Sequence, residues 1–390
     1  MNKKDLYGNK GHNLMIMFEL GLPVPTFHIL DTEFLHKFFS MPLSVQYSEI
    51  DNLMRTTFDS IDFISVRSSP NYSLPGILDT ELNVSTKDIS KIIGLIHANN
   101  DSLFSPKVGI YKKQEKIVNE LQSAVILQKM VFGNKNENSG SGVCFSSSPI
   151  TGRAVLYGEF LMNTQGEKLV DGSTTPLEIE ELKKLKPKVF SELDSFCAFL
   201  EKNFKEIQDI EFTFEDDKLY ILQTRNAKTT TQANLTFRSC LLEAGVITQS
   251  EFETMTEKPN LNQNMLSKFN KDDFKLVGKG IGASSGILLG VLAFNKEQLS
   301  TEKSSIYAAN LTSTDDIDII SKSAGILTLN GGKTSHAAIV SRSWGKVCVV
   351  GCSDITISSI NELIFKNGEI AKAGDEILID GDTGEIFIKK

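Results

Sequence analysis

Short apolar runs bounded by glycine, proline and asparagine alternate along this chain with stretches where apolar residues return at helical spacing. The first kind predicts buried strands and the second amphipathic helices. Leu14, Met17, Phe18 and Leu20 make a helical face that Gly21 ends, and Pro23 and Pro25 lead into a strand over 26–30. Phe63–Val66 and Val125–Gly133 read as buried strands, with Arg67 just past the first. Residues 139–166 hold a Gly/Ser-rich loop and two strand-like runs. Residues 177–204 come next as helices broken at Pro187, with Val189, Phe190, Leu193, Phe196, Cys197, Leu200 and Phe204 as a core-facing stripe. Alternation then returns in a hairpin, 208–214 and 218–224 about Glu215-Asp216-Asp217. The segment 229–277 is polar, with helical stretches at 236–244 and 249–255, and reads as a linker. Beyond it, Gly278–Phe294 opens a second domain, which a hairpin of 376–380 and 385–389 about Gly381–Gly384 closes.

The strongest local pattern lies between those last two landmarks. Gly325–Leu329 is a short buried strand, Gly331-Gly332 a tight turn, and Thr334 or Ser335 an N-cap for a helix ending near Gly345. His336 thereby falls in a first helical turn. The positive end of the helix disfavours imidazolium there, which leaves a neutral, nucleophilic ring. The same N–H groups would steady an anion carried on that ring. The residues alone are equally compatible with an incidental histidine.

Composition narrows the classes of function. A chain of 390 residues holds two or three domains, and a net charge of −8 without a long basic run argues against a nucleic-acid binder. No N-terminal apolar segment and no apolar run of about 18 residues predicts a secreted or membrane-spanning protein. Cys144, Cys197, Cys240, Cys348 and Cys352 form no Cys-x-x-Cys pair, and read as free thiols in a cytoplasmic protein. His12, His28, His36 and His97 lack metal-ligand spacing.

Three further places offer polyphosphate chemistry. Lys10, between Gly8-Asn9 and Gly11 at the mouth of the first helix, can reach phosphate oxygens, or be a solvated lysine. Arg67 at a strand end presents a planar fork of donors, or a surface cation. In the hairpin, a period of two puts Asp209 with Glu211 and Gln223 with Arg225. Carboxylate and amide oxygens together suit Mg²⁺ with a bound polyphosphate, and exposed hairpin carboxylates are the plain alternative.

GGKTSHAAIVSRSWGKVCVVG (331–351) resembles the phosphohistidine segment of the phosphoenolpyruvate-utilising enzymes, and QDIEFTFEDDKLYILQTRNAKTT (208–230) resembles the nucleotide- and metal-binding hairpin of the pyruvate phosphate dikinase branch. GNKGHNLMIMFELGLPVP, SVRSSPNYSLPGILDT, VILQKMVFG and SGSGVCFSSSPITG…YGEFLMNTQG are similar to further segments of that branch. The resemblance implies an α/β (α+β) chain: a two-lobed ATP-grasp domain over 1–228, a helical linker over 229–277, and a phosphohistidine swivelling domain over 278–390. It implies nucleotide binding by Lys10, Arg67, Gln128, Met130, Asp209, Glu211, Gln223 and Arg225, with Mg²⁺ on Glu211 and Gln223. His336 is then the phosphoryl carrier, with Gly331, Gly332, Thr334 and Ser335 as its loop and Arg67 and Arg225 as its catalytic partners at the nucleotide.

Departures from the family pattern accompany it. Asn9 replaces a glycine, Ser147-Ser148 stand where the family has an arginine and a polar partner, and the segment Glu81–Leu127 is short. The chain begins close to Lys10, where a family strand is expected to be missing. It is also expected to lack the barrel that binds phosphoenolpyruvate and pyruvate. The activity implied by the resemblance is that of a dikinase that takes the β-phosphate of ATP onto His336, releases AMP, and uses phosphate or water for the outer phosphoryl group. The final acceptor is pyruvate on a separate barrel subunit, or a small metabolite. A catalytically inactive nucleotide-binding regulator is the alternative from another class.

Overall fold

The computed structural model describes residues 2–72, 74, 80–114, 117, 121–166, 176–255 and 273–390. Pro75–Asp79, the centre of the expected PGILDT segment, and much of the expected linker lie outside the described residues. The chain divides into two compact units: 1–140, 162–164 and 210–225 form the first, and 141–161, 165–209 and 226–390 the second.

The first unit is organised by an antiparallel sheet. In chain order come α1 (Lys3–Glu19), β1 (Phe27–Leu30), α2 (Thr32–Phe38), α3 (Leu43–Thr57), β2 (Phe63–Pro70), β3 (Thr80–Ser85), α4 (Ile89–Ser102), α5 (Pro106–Gln114) and β4 (Ser123–Lys129). The sheet order is β1-β4-β2-β3. Ile89, Ile92, Ile93 and Ile96 are buried at helical spacing on α4, against Ile50 and Met54 of α3 and Ile64, Val66 and Leu127 of the sheet. The Asp88 carboxylate accepts from the Lys91 N–H at 3.0 Å and so caps α4.

Two local expectations change here. Strand β2 does not stop before Arg67: Ser68 and Ser69 stay in register with Val125 and Ala124, so Arg67 is mid-strand. The first helix starts at Lys3, and the expected glycine turn survives as a kink inside it, Gly8 at φ 66°. Leu14 and Met17 are buried on this helix as expected, whereas Phe18 is exposed.

Then come β5 (Gly140–Phe145), β6 (Tyr157–Met162), β7 (Leu177–Glu178), α6 (Ile179–Leu185), α7 (Pro187–Phe204), β8 (Gln208–Glu215) and β9 (Lys218–Asn226). The break at Pro187 is where the sequence put it. On α7, Val189, Leu193, Cys197 and Leu200 are buried, while Phe190, Phe196 and Phe204 are only partly so. Within the first unit, the β8–β9 hairpin turns through Asp216 and Asp217, both at positive φ. Lys135 ties that turn down, at 2.8 Å from Glu215 and 2.6 Å from Asp216.

In the second unit, β7, β6 and β5 are neighbours in one sheet. Helix α8 (Thr231–Glu243) is not a bare tether: Phe237 and Leu241 pack with Phe145, Ile207 and Ile247. Helix α9 (Gln249–Met255) comes after it. The remainder opens with β10 (Phe274–Lys279), β11 (Ile281–Ser284) and β12 (Ile287–Ala293), then β13 (Ser305–Ala309), α10 (Ile317–Lys322), β14 (Gly325–Thr328), α11 (His336–Trp344) and β15 (Val347–Val350). After a small sheet of β16 (Ile355–Ile357), β17 (Glu362–Phe365) and β18 (Ile370–Lys372), the hairpin β19 (Glu376–Asp380) and β20 (Glu385–Lys389) closes the chain as expected.

The large sheet runs β10-β20-β19-β12-β13-β14-β15-β11, with β12 to β15 parallel at its centre. Parallel neighbours require crossovers; a loop with a short 3-10 turn joins β12 to β13, and α10 and α11 make the next two. Helix α11 therefore starts just after the carboxyl end of β14, the end at which open α/β sheets place their ligands. No helix among the described residues is long and apolar enough to cross a membrane.

Candidate functional site

Arg67 is the knot of the first unit. Its side chain is buried at 7 % exposure in β2. Nη1 donates to Gln128 Oε1 at 2.7 Å and to the Leu222 carbonyl at 3.2 Å; Nη2 donates to Gln223 Oε1 at 2.8 Å and to Glu211 Oε2 at 3.1 Å. Gln223 Nε2 in turn donates to Glu211 Oε1 at 3.1 Å. A rigid guanidinium fork satisfies this set, which an ammonium could not. Gln128 thus supports Arg67 with its side chain, and the Met130 N–H donates to the Phe63 carbonyl at 3.1 Å.

Lys10 joins the same electrostatic group. Burial, helped by repulsion from Arg67 and Arg225 and opposed by Glu211, lowers its pKa to about 7. Burial pushes the Glu211 carboxyl up, but Arg67, Arg225 and Lys10 together overcome this and hold it below its ordinary value. Three cations around one carboxylate leave a local excess of positive charge in an acidic protein. That is what a polyphosphate requires. Asp209 is buried on β8, two residues before Glu211.

The structure adds partners, Ser69 and Asn13, that sequence reasoning passed over. Gly8 brings the chain against β2, where a Cβ would lie 1.7 Å from the Ser69 carbonyl oxygen. Ser69 Oγ donates to the Tyr7 carbonyl at 2.8 Å and accepts from the Gly11 N–H at 2.9 Å. Asn13 Nδ2 donates to the Thr224 carbonyl at 2.8 Å. Lys10 is therefore held between two anchors. Only the glycine spacing signalled this in the sequence.

The donor chemistry fits Mg²⁺. Glu211 and Gln223 present a carboxylate and an amide oxygen fixed by Arg67, and both are hard ligands. They are too few to hold an ion alone, and Mg²⁺ ordinarily completes its shell with water and phosphate oxygens. Among the described residues no group of three or more His, Cys, Asp or Glu side chains could hold a metal.

The second centre lies in the second unit, on the loop between β14 and α11. His336 is the first residue of α11, Ser335 is its N-cap, and Gly345 ends it at φ 62°. The loop is fixed from two sides. Arg342 donates to the Ala283 carbonyl at 2.8 Å and the Lys333 carbonyl at 3.1 Å, and its guanidinium lies over the Phe145 ring. Glu159 of β6, 4 % exposed, accepts from the Lys333 N–H and the Thr334 hydroxyl, each at 3.0 Å. Lys333 Nζ reaches Glu178 at 2.6 Å and lies over the Tyr157 ring. The Ser335 hydroxyl, beside His336, is buried without a hydrogen-bond partner. Glu159 was missed, although a lone charge in the apolar run Tyr157–Met162 was a signal.

All five cysteines are free, and only Cys240 is exposed. Burial raises the thiols of Cys348, to about 12, and of Cys352. This agrees with the reading of them as inert core thiols.

Comparison with known proteins bears on both centres. The model of the pyruvate phosphate dikinase AMP/ATP-binding domain matches residues 43–187 and 178–237, and that of the PEP-utilising enzyme mobile domain matches 301–384. The chain is 38% identical over 304 residues to the pyruvate, phosphate dikinase of Clostridium symbiosum, covering 76% of this chain and 35% of that protein. It is 36% identical over 302 residues to the chloroplastic pyruvate, phosphate dikinase 1 of Arabidopsis thaliana, covering 76% and 31%. Against the Rickettsia conorii enzyme it is 30% identical over 492 residues, covering 99% and 56%. The last span exceeds this chain's length, so that relative carries segments inside the matched region that this chain lacks. The chain spans between about a third and about half the length of these relatives. The α/β (α+β) class, ATP-grasp portion first and swivelling domain second, agrees with these matches.

Proposed function

Because the chain belongs to the pyruvate phosphate dikinase family of phosphoenolpyruvate-utilising enzymes, we propose that it is an ATP-dependent phosphotransferase whose carrier is His336. The observation that carries this reading is the placement of His336 at the first position of a helix, after a fixed glycine loop and at the carboxyl end of a parallel strand. Nucleotide-binding residues alone do not require a nucleophile. A built loop around an imidazole does.

In this reading Lys10, Arg67 and Arg225 hold the phosphates of ATP. Mg²⁺, held by Glu211 and Gln223 with those phosphates, supplies further charge neutralisation. Body 278–390 swings on 229–277 to present His336. The neutral imidazole attacks the β-phosphorus, the bond to the α-side bridging oxygen breaks, and AMP leaves with the electron pair. Phosphate or water then takes the outer phosphoryl group of the pyrophosphohistidine. Phospho-His336 passes the remaining group to an acceptor, pyruvate on a separate barrel subunit or a small metabolite. Preorganised cations and in-line positioning provide most of the acceleration.

ATP labelled at the β or γ phosphate tests it. Acid-labile label on His336 from the β position, with AMP released, is expected. Label from γ alone would mean ordinary kinase chemistry and refute the dikinase step. One observation favours the alternative of an inactive nucleotide-binding regulator: Ser147, at a position where the family has an arginine or its polar partner, donates to Glu201 at 2.7 Å. Tight ATP binding with no label at all would support it. Adding pyruvate with and without cell extract separates the two acceptors.

A further inference from the structure

We propose that Glu159 is the positioning residue of the phosphoryl-carrying loop, and that a phosphoryl group on His336 displaces its carboxylate. The inference rests on the reading of His336 as carrier. Its geometric half stands apart from that reading.

Glu159 is an acid in the interior of a unit, and such a group persists only when its oxygens are bonded. Both are bonded here, and both to one loop: Oε1 takes the Lys333 N–H and Oε2 the Thr334 hydroxyl, each at 3.0 Å. Gly332 makes the approach possible. A Cβ at that position would stand 2.0 and 2.4 Å from the two carboxylate oxygens. Burial nevertheless pushes the Glu159 pKa up, so the two donors offset only part of the desolvation. The carboxylate is held, but not deeply.

The loop thus offers its outward donors to an anion of this same chain, with two oxygens and a negative charge. A phosphoryl group has the same needs. His336 comes two residues after Thr334, which limits their backbone separation to about 7 Å. A phosphoryl dianion on His336 would repel a poorly solvated carboxylate held by the adjoining loop. It also competes for the same N–H and hydroxyl. The buried Ser335 hydroxyl, unpartnered and adjacent to His336, is a further group an incoming phosphoryl oxygen would engage. The loop therefore has two alternative anions, and loading His336 exchanges one for the other. Because Glu159 stands on β6, outside the proposed moving body, that exchange removes one tie on the body, beside the Lys333–Glu178 pair and the Arg342–Phe145 contact.

Amide hydrogen exchange over 331–344 tests this in the full chain, for the wild type, Glu159→Gln and Thr334→Val. Without nucleotide, Glu159→Gln should exchange the Lys333 amide roughly tenfold faster, the loss of one charge-assisted hydrogen bond. Thr334→Val should move it the same way, and Glu159→Asp should restore part of the protection. With Mg²⁺ and ATP, the wild-type amide should stay protected as label enters His336, now by the phosphoryl group, and Glu159→Gln should gain protection on loading. Glu159→Gln should load His336 more slowly at unchanged ATP affinity. Equal exchange in wild type and Glu159→Gln without nucleotide would overturn positioning. A Glu159→Gln amide that gains no protection when His336 is labelled would overturn displacement. A wild type that never labels refutes the carrier reading instead, while the nucleotide-free comparison still decides positioning.

Discussion

The two centres solve opposite electrostatic problems. In the first unit, Lys10, Arg67 and Arg225 act on Glu211, so positive charge is in excess. In the second, the donors of the 331–335 loop already hold an anion, the Glu159 carboxylate. In the proposed function the first site receives a polyphosphate. The other is built to hand its donors from one anion to another. The difference also shows in what fixes each: a buried guanidinium with four acceptors in the first, and a glycine loop between Arg342 and Glu159 in the second.

The most severe way to test the division is His336→Asn. Label on the protein should vanish entirely, while ATP affinity, measured by calorimetry, stays at the wild-type value. Loss of both would merge the two centres. Arg67→Lys attacks the other side. An ammonium cannot meet acceptors spread over Gln128, Leu222, Gln223 and Glu211, so labelling should fall about 10²- to 10³-fold. Thermal melting should fall too, since acceptors are left buried and unpaired. Wild-type labelling in Arg67→Lys would show that charge alone suffices there.

The second centre was the more legible of the two. Gly325–Thr328, the His336 start and the Gly345 end come from local rules, because strand and turn chemistry act within a few residues, whereas Ser335 takes the N-cap position without a side-chain capping hydrogen bond. The hairpin of β8 and β9 and the closing hairpin were legible for the same reason. The first centre was legible in its members and not in its wiring. Arg67 was read at a strand end because serines come after it, yet pairing with β4 carries the strand through Pro70. Gln128 is expected among the nucleotide-binding residues, and the bracing of Arg67 by its side chain, across 61 residues of sequence, was not legible. Glu159 and Ser69 escaped because their partners lie far along the chain. Periodicity reports which face a side chain takes, and says nothing of the distant group that face will meet.

A milder probe concerns the anchors of Lys10. Ser69→Ala removes both hydrogen bonds that hold the glycine turn to β2, a loss on the order of 1–2 kcal/mol. If the turn serves to aim Lys10, ATP affinity should weaken by about tenfold while the loading of bound ATP onto His336 keeps its rate. A change in loading alone would mean that Ser69 acts elsewhere.

The smallest effect comes from pH. Lys10 titrates near pH 7 in the nucleotide-free protein, because burial and the neighbouring arginines disfavour its charge. The unfolded chain keeps the ordinary lysine value, so the unfolded state binds more protons between the two values. Stability should therefore rise with pH above about 7, and the penalty of the buried charge is fully present below it. Binding runs the other way. ATP favours the ammonium, so a protein whose Lys10 is already neutral must take up a proton on binding. Affinity should then fall by up to about tenfold per pH unit above that value. Lys10→Met supplies the reference, since ATP's own titration is common to both proteins and cancels in the comparison. Calorimetry in buffers of different ionisation enthalpy reads the proton directly. A pH slope and proton uptake identical in Lys10→Met and wild type would remove Lys10 from the phosphate site and leave Arg67 and Arg225 as its cations.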